Sequence, residues 1–164
     1  MTTLEKFVQL FNTANGTNLS AYELDIDKPV ALPDAGATDN TTVTVHGKMQ
    51  TGYIGDYTFT YHRINLPGLF GSIKVAVELP QGPATTRKLV ESLNLQYGLA
   101  VPVEDVVDEP IVENAATIRI SADSYEWVGE LPVTINRVLT DVSSVLTDGN
   151  LDGFNYPTIT PPQV

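Results

Sequence analysis

The chain has two histidines, His46 and His62, and no cysteine, so the routes to nucleophilic or metal chemistry are few. A histidine-based triad or a hydrolytic metal site would have to use one of the two. Each falls within an alternating, strand-like segment, where a surface or hydrogen-bonded histidine is the plainer reading. Thiolate nucleophiles, thiolate metal ligands and disulfides are excluded outright. Ser72 and the Ser143–Ser144 pair lack the Gly-x-Ser-x-Gly setting that presents a nucleophilic serine. The glycines are scattered through turns and make no phosphate-cradling loop. Asp148-Gly149-Asn150-Leu151-Asp152-Gly153 matches the first half of a calcium loop, but the twelfth position is Ile159, where a bidentate glutamate is needed. The same residues make ordinary tight turns. Glu104, Asp105, Asp108, Glu109 and Glu113 gather carboxylates of the kind that cleave glycosides. Val103, Val106, Val107 and Ile111 between them indicate instead a solvated acidic face over a buried apolar one. No catalytic, cofactor-binding or metal-ligating residue is assigned, no cofactor is expected, and the chain reads as a non-enzyme.

Charge narrows the partners. Nine Lys and Arg stand against twenty Asp and Glu, a formal net charge of −11. Such a surface repels nucleic-acid phosphates and anionic lipid, so neither nucleic acid nor membrane is an expected partner, whereas a basic protein surface would be complementary. The start, Met1-Thr2-Thr3-Leu4-Glu5-Lys6, lacks the basic-then-apolar pattern of an export signal, and no apolar run approaches the roughly 18 residues of a membrane span. Synthesis and folding in the cytoplasm are expected.

A self-comparison organises the rest. At a shift of 82, Phe7, Val8, Phe11, Asn12 and Gly16 fall on Leu89, Val90, Leu93, Asn94 and Gly98, and Leu19, Glu23 and Leu24 on Val101, Asp105 and Val106. At a shift of 74, Tyr53-Ile54-Gly55-Asp56 falls on Trp127-Val128-Gly129-Glu130, and the six residues from Phe59 on the six from Val133. The change of shift marks a length difference in the loop holding Pro29, Pro33 and Gly36, as surface loops allow. The expected organisation is a first unit at 1–79, a linker at 80–83 (Pro80-Gln81-Gly82-Pro83), a second unit at 84–150 and an extended arm at 151–164.

Each unit opens with a helix of about ten to thirteen residues, from the stripe Leu4, Phe7, Val8, Phe11 and Ala14 or Leu89, Val90, Leu93 and Tyr97. Thr2 and Glu5 form a capping box, and Gly16 and Gly98 are stops. Period-two runs follow at Thr41–Val45, Tyr57–Tyr61, Ile73–Leu79, Thr117–Ser121 and Leu131–Ile135, which predict strands. The fold class is therefore α+β: two tandem repeats, each one N-terminal helix packed on a small, mainly antiparallel sheet. Gly55 and Gly129 are read as turns that a side chain would obstruct. Arg63 and Arg137 close the aligned strands, bonded to a carboxylate of the same unit, to loop carbonyls or to a partner chain. The proline-rich arm disfavours a helix, and Phe154, Tyr156 and Ile159 are its candidate contacts. Two courses are open to it: onto a neighbour's sheet edge or groove, or back on its own unit.

The run Gly52-Tyr53-Ile54-Gly55, then Tyr61-His62-Arg63-Ile64-Asn65-Leu66 and Leu69-Phe70, with the closing Leu151-Asp152-Gly153-Phe154-Asn155-Tyr156-Pro157, resembles the tandem-repeat virion structural proteins of large tailed bacteriophages. The second copy departs from the pattern at Trp127 and at Ile135-Asn136-Arg137. The resemblance implies a particle component located in the virion and made in the host cytoplasm. Its partners would be other virion proteins, with multiple copies or a homo-oligomer in a symmetric particle. A tail, baseplate or neck accessory is the first expectation, and head decoration the next. The alternative is a carbohydrate- or host-surface-binding module, if Tyr53, Tyr57 and Trp127 line one open face. Their aligned positions favour a shared core role instead.

Overall fold

Thr2 starts the first helix because its hydroxyl accepts the Glu5 N–H while the Glu5 carboxylate accepts the Thr2 N–H, at 3.2 and 2.7 Å. In the computed structural model, which describes residues 1–32, 38–139, 141–151 and 153–154, this helix, α1, runs Thr3–Asn15 and stops where Gly16 turns left-handed at φ 64°. It buries Phe7, Val8 and Phe11. A second long helix, Thr86–Tyr97, buries Leu89, Val90 and Leu93 and stops at Gly98, φ 66°. An asparagine holds the turn after each. Asn12 Nδ2 donates to the Leu19 carbonyl and Asn12 Oδ1 accepts the Leu19 N–H (2.7 and 3.0 Å). Asn94 and Val101 make the same two bonds at 2.8 and 3.0 Å.

The first sheet contains β1 (Leu24–Ile26), β2 (Val30–Ala31), β3 (Thr41–Gly47) and β4 (Asp56–Tyr61). All pairings are antiparallel to β3, with β4 alone on one side. Val43 and Val45 face α1, because alternate residues of a strand share a face. With Phe7, Val8, Phe11 and Leu24 they form the smaller core.

After β4 come β5 (Ile64–Asn65), the short helix α2 (Leu66–Phe70) and β6 (Val75–Pro80). Then follow β7 (Ala84–Thr85), the helix Thr86–Tyr97 as α3, β8 (Pro110–Ile111), β9 (Ala115–Arg119), β10 (Trp127–Val128) and β11 (Glu130–Val138). The second sheet has the order β6-β11-β9. β9 is antiparallel to β11, and β6 is parallel to it. Two short pairings tie the edges: β10 with β5, parallel, and β7 with β8, antiparallel. The larger core lies between α3 and this sheet and includes Leu66, Phe70, Val75, Val77 and Leu79. The fold class is α+β.

The alternating run Ile73–Leu79, read as the last strand of a first unit, lies beside β11 of the second sheet, with Ile73 outside the strand and exposed. The physical reason is that period-two alternation determines which face of a strand is buried, not which strand runs alongside. A boundary at 79 therefore divides the larger core, and the second sheet is half parallel. The strand expected at Thr117–Ser121 runs Ala115–Arg119, and Ile120 continues it with a single bridge to Val106.

Candidate interaction surfaces

Arg63 sits just past the end of β4, only 4% exposed. Its Nε donates to Thr41 Oγ1 at 2.8 Å and its Nη1 to the Ser124 carbonyl at 3.0 Å. Burial pushes the guanidinium below its usual pKa, and the fork of donors directed at fixed oxygens compensates. Arg137, half-buried, donates from Nη1 to the Pro80 and Gly82 carbonyls at 3.0 and 3.1 Å. Each arginine donates to one loop carbonyl, of Ser124 or of Gly82, and to one oxygen at a strand end, Thr41 Oγ1 or the Pro80 carbonyl. Arg63 reaches across to the loop before β10, whereas Arg137 holds the segment between β6 and β7.

Arg63 is one part of a seam that sequence reasoning does not find. Tyr61 Oη donates to the Tyr125 carbonyl (2.8 Å), and Tyr125 Oη to the Asp27 carbonyl (2.9 Å). Burial raises the pKa of both phenols, so they remain neutral donors. The Tyr125 ring stacks on Phe7, centroids 5.4 Å apart, and the Ile64 N–H donates to the Glu126 carbonyl. Lys6–Glu126 and Lys28–Asp123 pairs flank the contact. Nothing local in Ser124-Tyr125-Glu126 announces this role, because its partners lie between 61 and 120 residues away.

Gly55 and Gly129 adopt φ of 88° and 110°. Only Gly129 also faces an obstacle: a Cβ there would lie 2.6 Å from Pro67 Cδ, while at Gly55 the space is open. The chain past each glycine is held alike, the Gly47 N–H donating to the Gly55 carbonyl and the Ile120 N–H to the Gly129 carbonyl. Gly47, absent from the sequence-based candidates, would place a Cβ 2.6 Å from the Ile54 nitrogen.

Beside Gly55 lies an open groove of about 420 Å³. Phe11, Leu19, Val45, Tyr53, Ile54 and Tyr57 are among its walls. Tyr53, Ile54 and Tyr57 are exposed, whereas Trp127 is buried. The three aromatics expected to share a core role or one open face are thus divided. The second apolar surface is the segment after β11, where Leu139, Val142, Val145, Leu146, Leu151 and Phe154 are all exposed. Tyr156 and Ile159 lie outside the described residues, as does Asp152 of the calcium-like hexapeptide. Asp148 Oδ1 there accepts the Asn150 N–H, an ordinary turn bond.

The polar candidates are placed as follows. His46 is held between two carboxylates, Nδ1 to Asp56 Oδ1 at 2.7 Å and Nε2 to Asp27 Oδ2 at 3.1 Å. Those bonds raise its pKa above the usual 6.5. His62 Nδ1 bonds the Thr38 carbonyl. Ser143 donates through both N and Oγ to Asp141, holding that carboxyl below the usual range. Ser72 is exposed in a turn. In the acidic run Val106 and Ile111 are buried and Val103 is partly so, but Val107, expected on the same apolar face, is exposed; Glu109 pairs with Arg119 at 2.9 Å, and one Asp105 carboxylate oxygen is buried without a hydrogen-bond partner. Among the described residues no group of His, Asp and Glu is arranged to hold a metal ion, and no helix is long and apolar enough to cross a membrane.

Seam, groove and terminal segment belong to an α+β protein whose exposed apolar residues include those beside Gly55 and those along the segment after β11. The chain belongs to the family described as "Family of unknown function (DUF7941)", whose pattern it matches over residues 2–162. That span takes in both cores and most of the terminal segment. No curated protein and no solved structure matches the chain.

Proposed function

We propose that the chain is a non-enzymatic structural component of a tailed-phage virion, holding its partners by protein–protein contacts. A tail, baseplate or neck position is favoured over head decoration. The observation that carries this reading is the placement of apolar surface: an open groove with Tyr53, Ile54 and Tyr57 at its walls, and a terminal segment with Leu139, Val142, Leu146 and Phe154 exposed. Monomeric proteins keep such residues scattered, and clustering marks an interface. We read the chain as two tandem units, as the shared Asn12/Asn94 turns and the matching bonds at Gly55 and Gly129 support. Partners are other virion proteins, in multiple copies; the acidic surface suits a basic partner.

The experiment is to locate the chain in a map of a phage particle whose genome encodes it, and to assay particles carrying a chain cut before Leu151. Attachment is expected to weaken. Full occupancy by the shortened chain overturns the role of the arm, and absence from the particle overturns the reading. One observation favours a second reading, a host-glycan module: Tyr53 and Tyr57 line the open groove together. It predicts saturable glycan binding that Tyr57→Ala abolishes without unfolding. Trp127, being buried, is not the residue to test.

A further inference from the structure

The molecule contains two grooves of like construction, one filled and one open. The filled one lies between α3 and the second sheet, and its occupant is the segment that follows β4. Ile64 and Asn65 of that segment run parallel to Trp127 and Val128. Leu66 and Phe70 enter the core. β6 then lies along β11, with Val75 opposite Val133 and Val77 opposite Ile135. In the first half, Tyr53 and Ile54 precede Gly55 as Trp127 and Val128 precede Gly129, and β4 pairs antiparallel with β3 as β11 does with β9. Among the described residues, no strand pairs with Tyr53–Ile54 or with the outer edge of β4.

The segment following β11 has the makings of an occupant. Val142 and Leu146 repeat the four-residue spacing of Leu66 and Phe70, and Leu151 follows Leu146 by five residues as Val75 follows Phe70. A helical turn is already formed: the Leu146 N–H donates to the Val142 carbonyl at 2.9 Å, and Asp141 caps it by accepting from Ser143. Yet Val142, at 64%, and Leu146, at 71%, are exposed, where Leu66 and Phe70 are buried. One chain thus carries an unused donor and an unused acceptor, together with a worked example of their joint.

We infer that the segment from Val138 of one copy fills the groove beside Gly55 of a second copy, as Ile64–Pro80 fills the groove of its own chain. Val138 and Leu139 run parallel to Tyr53 and Ile54. Val142 and Leu146 enter the groove, and Leu151 lies opposite Phe59 at the outer edge of β4. Main-chain pairing supplies the affinity and the apolar side chains the register. The contact joins unlike surfaces, so copies link head to tail into a ring or a filament, and the free sheet edge is covered. The inference rests on the two-unit reading proposed above and not on a location in a particle.

Two variants of the full-length chain test it. Ile54→Asp places a charge in the acceptor and Leu146→Asp in the donor; both side chains are exposed, at 82% and 71%, so each variant should fold, as circular dichroism would check. In sedimentation at about 100 μM, the unmodified chain is expected to assemble, and each variant to associate at least about 30-fold more weakly. An equimolar mixture of the two variants is expected to give a one-to-one dimer and nothing larger, because each supplies the half the other lacks. A monomeric unmodified chain, including one whose segment folds back on its own groove, overturns the inference. So does a folded variant that assembles normally, or a mixture that stays monomeric. A chain that occupies phage particles yet never self-associates overturns this inference alone; head-to-tail assembly by a chain absent from particles overturns the particle reading alone.

Discussion

Arg63 and His46 show how much a single side chain depends on residues far away in sequence. Arg63→Met leaves Thr41 Oγ1 and the Ser124 carbonyl without their donor in a buried setting, so a loss of about 2–3 kcal/mol is expected in urea unfolding. Arg63→Lys, a point charge in place of a fork, should recover only part of it. Arg137→Ala should cost about 1 kcal/mol or less, because its site is half open. Equal losses at the two arginines would refute the seam role given to Arg63. His46 predicts a pH dependence. Its folded pKa lies above the unfolded 6.5, so the pairing with Asp56 and Asp27 stabilises the fold below the unfolded value, and that contribution is lost as pH rises through the raised folded value. The midpoint difference between the native chain and His46→Gln should be larger at about pH 5.5 than at about pH 9, with a proton-NMR titration of the ring centred above 6.5. Both arginines were legible as paired, aligned residues, but their acceptors were not. A carbonyl acceptor leaves no trace in residue type.

Among the elements, those set by local rules were the legible ones. The capping box of α1, the glycine stops of both long helices and the alternation of β3, β4 and β11 follow from sterics and hydrogen bonds within a few residues. The aligned glycines separate two reasons for having no side chain. Gly55→Ala meets open space and should cost about 1–2 kcal/mol from its positive φ alone. Gly129→Ala adds the encounter with Pro67 at the start of α2 and should cost at least about 3 kcal/mol in thermal or urea unfolding. Equal costs would mean that the α2 contact gives way freely. The clash at Gly129 exists only because α2 crosses from one half to the other, which no local pattern encodes.

At the scale of the whole molecule, the core behind α3 draws on residues that precede the apparent linker. A fragment of residues 84–150 lacks Leu66, Phe70, Val75, Val77 and Leu79 of the larger core and should be unfolded by circular dichroism and by dispersion of its NMR spectrum. A fragment of residues 64–139 retains that core and should fold. If the shorter fragment folds equally well, β6 is an accessory to the second sheet rather than part of it. The same crossing explains why the joint between the halves is part apolar core and part polar seam: the chain that leaves β4 goes straight into the other groove, and the loop before β10 returns to meet Arg63.

The amino-acid sequence by itself determined the helices, their stops, most of the strands and the acidic surface, because each of these is a matter of local sterics, spacing or composition. Only the tertiary structure decided which sheet β6 joins, that Arg63 bonds across the seam, that Trp127 is buried while Tyr53 and Tyr57 are not, and that the groove beside Gly55 is open. Those outcomes depend on which surfaces meet, and apolar burial is non-directional: it rewards covering a surface without specifying the partner, which loop path and hydrogen-bond geometry must settle.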